Sequence, residues 1–276
     1  MRLTRPRLLH ELALTWQLIG CAGSAPPPES AKASQPPAEP APQRAEPVPS
    51  NEPSGSTAET EAAAKPDMPP AGSSVDRVMR AHFKDALLIR RAVIAGKPED
   101  AANAATVLAL IENLDDLPAG WRPFVERMQA DARRVRDSTS AAQAAAATAD
   151  LGVSCGSCHQ KLGGPKASSE LPPASGTTVE ARMKGHVWAS ERLWEALTVP
   201  SSEAWSTGAK ALSTAPFPDE VLKRGGVHAR STAAEFAKLV NKAPAKKTAE
   251  ERAALYAELL VTCGACHRSM TDAGTK

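Results

Sequence analysis

The sequence predicts an all-α protein built from a tandem repeat. Apolar residues recur at helical spacing along residues 74–162, and a matching pattern returns along residues 177–270. Such an internal duplication is a stronger signal than any single short motif. Alanine is abundant and aromatic residues make up only 4% of the chain, which favours helices that pack around something other than an aromatic-rich core.

The first repeat is predicted to contain four helices. A stripe of apolar residues predicts the first, which begins near Ser73 and ends before Gly96. The other three are predicted at residues 99–113, 122–137 and about 141–162. A run of Gly and Pro stops the fourth helix.

The second repeat follows a Gly-, Pro- and Ser-rich linker at residues 166–177. In its first helix Met183 and His186 follow Met79 and His82 by 104 residues. We therefore expect the first helices of the two repeats to be equivalent.

The final helix is predicted to begin at Thr248, because Thr248 and Glu251 match a capping box. It corresponds to the fourth helix at an offset of 108 residues. The second repeat therefore carries a small net insertion, and a turn at residues 242–247 is a suitable place for it.

Each repeat carries a Cys-x-x-Cys-His pentapeptide in its last helix. This spacing is the attachment signature of c-type haem. Positions i, i+3 and i+4 of a helix share one face, so two thiols and one imidazole can meet the same macrocycle. We therefore predict two covalently bound haem c groups. The predicted thioether cysteines are Cys155, Cys158, Cys263 and Cys266, and the predicted proximal iron ligands are His159 and His267.

Zinc sites and disulfides are the alternatives for these cysteine pairs. The histidine after each pair, and the equivalent position of both pairs in a repeat, favour haem.

The sixth iron ligand is predicted on the first helix of each repeat. Met79 and His82, and likewise Met183 and His186, lie at i, i+3 on the core-facing stripe. We favour His82 and His186, because a histidine on an apolar stripe needs a partner for its ring nitrogens. Methionine packs there as an apolar filler, so Met79 and Met183 are the alternative ligands, and an open distal site is the third possibility.

Four helices with the haem motif near the end of the last resemble the cytochrome c prime family and its low-spin relatives. The resemblance covers about residues 74–162 and 177–270. It implies two tandem four-helix bundles, each with a haem whose distal ligand comes from the first helix. The predicted divisions are a lipoprotein signal at 1–20, a lipid-anchored linker at 21–73, haem domains at 74–165 and 178–272, and a linker at 166–177.

Residues 22–74 have the composition of a disordered tether. Proline, alanine, serine and glutamate dominate, and no aromatic residue, Leu or Ile occurs. Such a segment cannot bury enough apolar surface to offset its ordering entropy. We expect a partly extended linker in front of the folded part.

The tetrapeptide at residues 18–21 resembles the lipobox of bacterial lipoproteins, in which the cysteine becomes the acylated first residue. Basic residues precede it, as in an export signal. We therefore predict lipidation at Cys21 and a lipid membrane as a partner. A free cysteine in an ordinary N-terminal segment is the alternative.

The expected function is electron transfer by a lipid-anchored dihaem cytochrome c. Two permanent axial ligands favour electron transfer over substrate chemistry. Thioether haem in c-type cytochromes implies maturation outside the cytoplasm, so we expect the periplasmic side of a bacterial membrane, with the outer membrane favoured. Redox proteins of the cell envelope are the expected partners.

Two other functions compete with electron transfer. Open distal sites would suit binding or sensing of nitric oxide or carbon monoxide, as in cytochrome c prime. A dihaem peroxidase would need one open and one closed haem, and the matching ligand patterns argue against that enzyme. A net charge of +2 argues against nucleic-acid binding.

Overall fold

The computed structural model describes residues 73–110, 117–118, 120–168, 171–173 and 176–274. All described residues belong to one compact unit. The predicted signal, Cys21 and nearly all of the predicted tether lie outside the described residues.

The described part of the chain is all-helical and contains no strand, which confirms the predicted fold class. None of its helices is long and apolar enough to cross a bilayer. The helices are α1 (Ser74–Ile94), α2 (Ala102–Ala109), α3 (Arg122–Arg136), α4 (Ala141–Leu162), α5 (Val179–Thr198), α6 (Ser202–Thr214), α7 (Asp219–Arg224), α8 (Gly226–Lys242) and α9 (Ala249–Gly274).

Short-range hydrogen bonds set the beginnings of five helices. Four have an N-cap hydroxyl that accepts from a backbone amide three residues later. These caps are Ser73, Ser140, Thr178 and Ser201. Before α9, the Glu251 amide donates to Thr248 Oγ1 and the Thr248 amide donates to Glu251 Oε2, both at 3.1 Å. The predicted capping box is therefore confirmed.

The second helix differs from its prediction. A 3₁₀ turn at Pro98–Ala101 precedes α2, which begins at Ala102 and ends at Ala109. Proline lacks an amide hydrogen and fixes φ, so it suits the tight first turn. Helix α7 was not predicted, because its six residues are too few for a periodic signal.

Helices of the two repeats pack against each other. Helix α4 contacts both α5 and α9, and α1 also contacts α9. Buried apolar side chains from both repeats belong to one cluster. The prediction of two tandem four-helix bundles is therefore not confirmed.

Each motif helix crosses the first helix of the other repeat at a glycine. A Cβ added at Gly156 of α4 would lie 2.0 Å from the Leu197 carbonyl oxygen of α5. One added at Gly264 of α9 would lie 2.8 Å from the Val93 carbonyl oxygen of α1. Because Leu197 follows Val93 by 104 residues, the same contact occurs twice with the repeats exchanged. Each Cys-x-x-Cys-His motif is therefore positioned by the opposite repeat.

Candidate functional site

A cavity of about 470 Å³ lies in the second repeat. This volume is within the range of cofactor pockets, about 300–1,000 Å³. Helix α9 contributes Cys263, Cys266 and His267 to the lining, and α5 contributes Met183 and His186. The structure therefore brings together every residue that the sequence assigned to the second haem, including both candidate distal ligands.

The rest of this lining is mainly apolar. Its large apolar members are Leu193, Leu212, Phe217, Val221, Phe236, Leu259, Leu260 and Met270. Lys97, which follows α1, brings a positive charge, and none of the described lining residues is Asp or Glu. This chemistry fits a flat apolar cofactor that carries negative groups at its edge.

His186 is buried beside two aromatic rings. The centroid of its ring lies 4.7 Å from that of Phe217 and 6.0 Å from that of Phe236. His186 Nε2–H donates to the Ala215 carbonyl oxygen at 2.7 Å, which leaves the lone pair on Nδ1. Burial lowers the pKa of His186, against the opposing effect of that carbonyl, and so favours the neutral imidazole that metals bind. Ligation through Nε2 requires release of Ala215.

In the first repeat, His159 of α4 is held by α5. Its Nδ1–H donates to the Thr198 carbonyl oxygen at 2.7 Å, which leaves the lone pair on Nε2. Metal-binding histidines usually fix their second nitrogen in this way. Gly164 lies against the same side chain, since an added Cβ would be 2.3 Å from His159 Cβ. Burial lowers the pKa of His159, so its neutral form is favoured.

His82 lies on α1, which packs against α4. Its Nδ1 is buried and has no hydrogen-bond partner within the described chain. Burial lowers the pKa of His82, and the charge of Asp85 opposes that shift. A buried polar atom without a partner costs about 1–3 kcal/mol, so the position suits a residue that gains a partner when another group binds. Met79 lies one turn earlier on the same helix.

The motif cysteines are free thiols. Burial raises the pKa of Cys155 to about 12 and that of Cys263 to about 11, so both are protonated at neutral pH. Zinc binds thiolates, and no group of three or more His, Cys, Asp or Glu in the described part of the chain could hold a metal ion. The raised thiol pKa values therefore disfavour zinc at these cysteines.

Sequence reasoning did not single out two polar residues of the cavity lining, Ser190 and Tyr256, or Arg90 of α1, which donates to both. The Arg90 Nε–Tyr256 Oη distance is 2.6 Å, and the Arg90 Nη2–Ser190 Oγ distance is 2.7 Å. Arg90 directly follows Ile89, a buried member of the apolar stripe. Because Arg90 is charged and lies beside Arg91, nothing in the sequence indicates that it is buried.

In comparisons with protein families, curated proteins and solved structures, no match to this chain is found.

Proposed function

We propose that the chain is an exported, lipid-anchored dihaem cytochrome c that carries electrons in the cell envelope. The observation that most supports this proposal is the cavity that collects Cys263, Cys266 and His267 with both candidate distal ligands. Two thiols and a proximal imidazole are what attachment of a c-type haem requires, and a distal ligand is what a low-spin electron carrier adds.

In the second repeat, Cys263 and Cys266 would each add a thiol across a vinyl group. In that addition the thiol S–H bond and the vinyl π bond would be replaced by a carbon–sulfur and a carbon–hydrogen bond, with no electron exchanged. His267 and His186 would hold the iron, with Met183 as the alternative to His186. When bound, haem supplies an iron that accepts and releases one electron.

In the first repeat, Cys155 and Cys158 would make the same bonds and His159 would be the proximal ligand. The hydrogen bond from His159 Nδ1–H to Thr198 would orient the imidazole and increase its basicity. His82 is the proposed distal ligand, because its buried Nδ1 lacks a partner among the described residues, and Met79 is the alternative.

The proposed location follows from the N-terminal sequence. The lipobox ending at Cys21 indicates a lipid anchor, and thioether haem implies export. The partners would then be redox proteins of the envelope. Because both repeats would keep two axial ligands, we propose a carrier and not an enzyme.

Covalent haem content tests the proposal directly. The chain should be produced with a c-type haem maturation system, and its intact mass should exceed the sum for the polypeptide and anchor by two haems. Cys263→Ser with Cys266→Ser should remove one haem, and Cys155→Ser with Cys158→Ser should remove the other. A chain that gains no covalent haem under these conditions contradicts the proposal.

Visible spectra test the distal ligands. We expect low-spin haem in the wild type, and one high-spin haem in each of His82→Ala and His186→Ala, because each variant loses one axial ligand. Met79→Leu and Met183→Leu are the matched controls and should stay low-spin. The reverse pattern would make the methionines the ligands. High-spin wild-type iron that binds carbon monoxide would favour gas binding over electron transfer.

A further inference from the structure

The two attachment sites carry buried charges of opposite sign. Arg90 of α1 lies at the second site and is 2% exposed, and Asp131 of α3 lies at the first and is 7% exposed. Neither charge has a buried charge at the matching position of the other repeat.

At the second site, the side-chain hydrogen bonds of Arg90 within the described chain go to the neutral hydroxyls of Tyr256 and Ser190. Burial raises the pKa of Tyr256 above its ordinary value, so the phenol is neutral at pH 7. The positive charge of the guanidinium is therefore not cancelled by these partners. Its field reaches the attachment motif, because Arg90 opposes the effect of burial on the pKa of Cys263.

At the first site, Asp131 accepts a hydrogen bond from Ser154 Oγ at 2.5 Å, and Ser154 directly precedes Cys155. Arg134 donates to Asp131 at 3.1 Å and to Asp150 at 2.7 Å, so the three side chains together carry one negative charge. That charge also reaches the motif, because Asp131 adds to the effect of burial in raising the pKa of Cys155.

The duplication does not preserve either buried charge, since Glu235, which stands 104 residues after Asp131, is exposed and pairs with Lys238 at 3.3 Å. Trp194 stands 104 residues after Arg90 and is 2% exposed. The first site therefore meets an indole ring at the position where the second site meets a guanidinium group. Thr262 stands 108 residues after Ser154, and its Oγ1 donates to the Glu258 backbone carbonyl oxygen at 2.8 Å. Among the described lining residues of the second cavity, Lys97 is the one Lys, Arg, Asp or Glu, and it adds a second positive charge near that of Arg90.

A nearby positive charge favours the reduced state of an iron centre, and a negative charge favours the oxidised state, through Coulomb interaction in a weakly screened interior. On the basis of the proposed function, we propose that Arg90 and Asp131 make the two haems unequal. An electron shared between them resides at the second site, beside Cys263. The transfer moves one electron from first-site iron(II) to second-site iron(III), and no bond is formed or broken.

Potentiometric titration of the dihaem protein, followed by visible absorbance, tests this inference. The wild type should show two one-electron steps. Arg90→Met should lower the upper step and leave the lower one in place. The equilibrium constant for electron transfer from the first site to the second should fall about tenfold. This corresponds to a decrease of about 59 mV in the gap between the two potentials. Arg90→Lys is the matched control, since it keeps the charge and should keep the gap.

Asp131→Asn provides an independent arm, because it removes the negative charge with little change in shape. It should raise the lower step and leave the upper one in place. This variant also carries the test if Arg90→Met does not fold. Equal potentials in the wild type overturn the inference, as does an Arg90→Lys variant that behaves like Arg90→Met. A protein that carries two covalent haems and gives either of these contrary results would contradict the inference alone. Absence of covalent haem would contradict the proposed function.

Discussion

The hydrogen bond between Arg90 and Tyr256 joins the repeats inside the core. Both side chains are at most 2% exposed, and their polar atoms lie 2.6 Å apart. Tyr256→Phe should lower the free energy of unfolding by about 1–3 kcal/mol, because a buried guanidinium loses an acceptor and keeps its charge. Denaturant titration of the full-length protein measures this change.

The double variant Arg90→Met with Tyr256→Phe is the control for that prediction. It removes both partners, so it should cost less than the sum of the two single variants. A strictly additive loss would show that the two side chains do not stabilise each other. Ser190→Ala adds a comparison, since it removes the second acceptor of Arg90 and keeps the first.

At the scale of single residues, the motif and the candidate distal ligands could be predicted, and Arg90 could not. Met183 and His186 lie on an apolar stripe at the spacing of a helix, and the structure places both on the cavity. Arg90 lies next to Arg91, and its burial depends on a hydroxyl 166 residues away in the chain. The residues close to Arg90 in the sequence carry no information about a partner so far away along the chain.

The close crossing of helices makes Gly156 a structural requirement within its motif. In Gly156→Ala the new Cβ would meet the Leu197 carbonyl oxygen at 2.0 Å, so α4 and α5 must separate. We expect a loss of about 3 kcal/mol in the free energy of unfolding, as for other overpacked cores. Gly264→Ala should cost less, since its nearest contact is 2.8 Å from the Val93 carbonyl oxygen.

Gly185 is the matched control for those variants. It lies inside α5, and beyond its chain neighbours and the adjacent backbone of its own helix, no heavy atom of the described residues lies within 4 Å of an added Cβ. Gly185→Ala should therefore stabilise the protein by up to about 1 kcal/mol, through reduced backbone freedom in the unfolded chain. Thermal unfolding of the three variants ranks them. Equal behaviour of Gly156→Ala and Gly185→Ala would mean that the crossing does not constrain the motif.

At the scale of helices, the sequence predicted the features that depend on contacts between residues close together in the chain. The beginnings of α1 and α9 were predicted because Ser73 and Thr248 make their capping bonds within three residues. Helix α7 was not predicted. The crossing at Gly156 was not predicted either, because in the motif this glycine is only one of the two residues between the cysteines. Crossing depends on the approach of backbones from two repeats, and helical periodicity does not encode which helices meet.

At the scale of the whole molecule, the repeats share one core. The predicted linker is also attached at its beginning, since the Ser168 carbonyl oxygen accepts from Arg192 Nη1 at 3.0 Å and the Ser168 amide donates to the Glu195 side chain. Both partners lie on α5. The chain between the repeats is therefore unnecessary for holding them together once the helices have packed.

Cleavage of the linker tests this shared core. A protease site inserted between Leu171 and Pro172, which are both exposed, should be cut without unfolding the protein. The two fragments should stay together in size-exclusion chromatography, because α4 packs against α5 and α9, and α1 packs against α9. Gly156→Ala in the same background should weaken the association, since it forces α4 away from α5. Fragments of the cut, unmodified chain that separate at micromolar concentration would instead support two independent bundles.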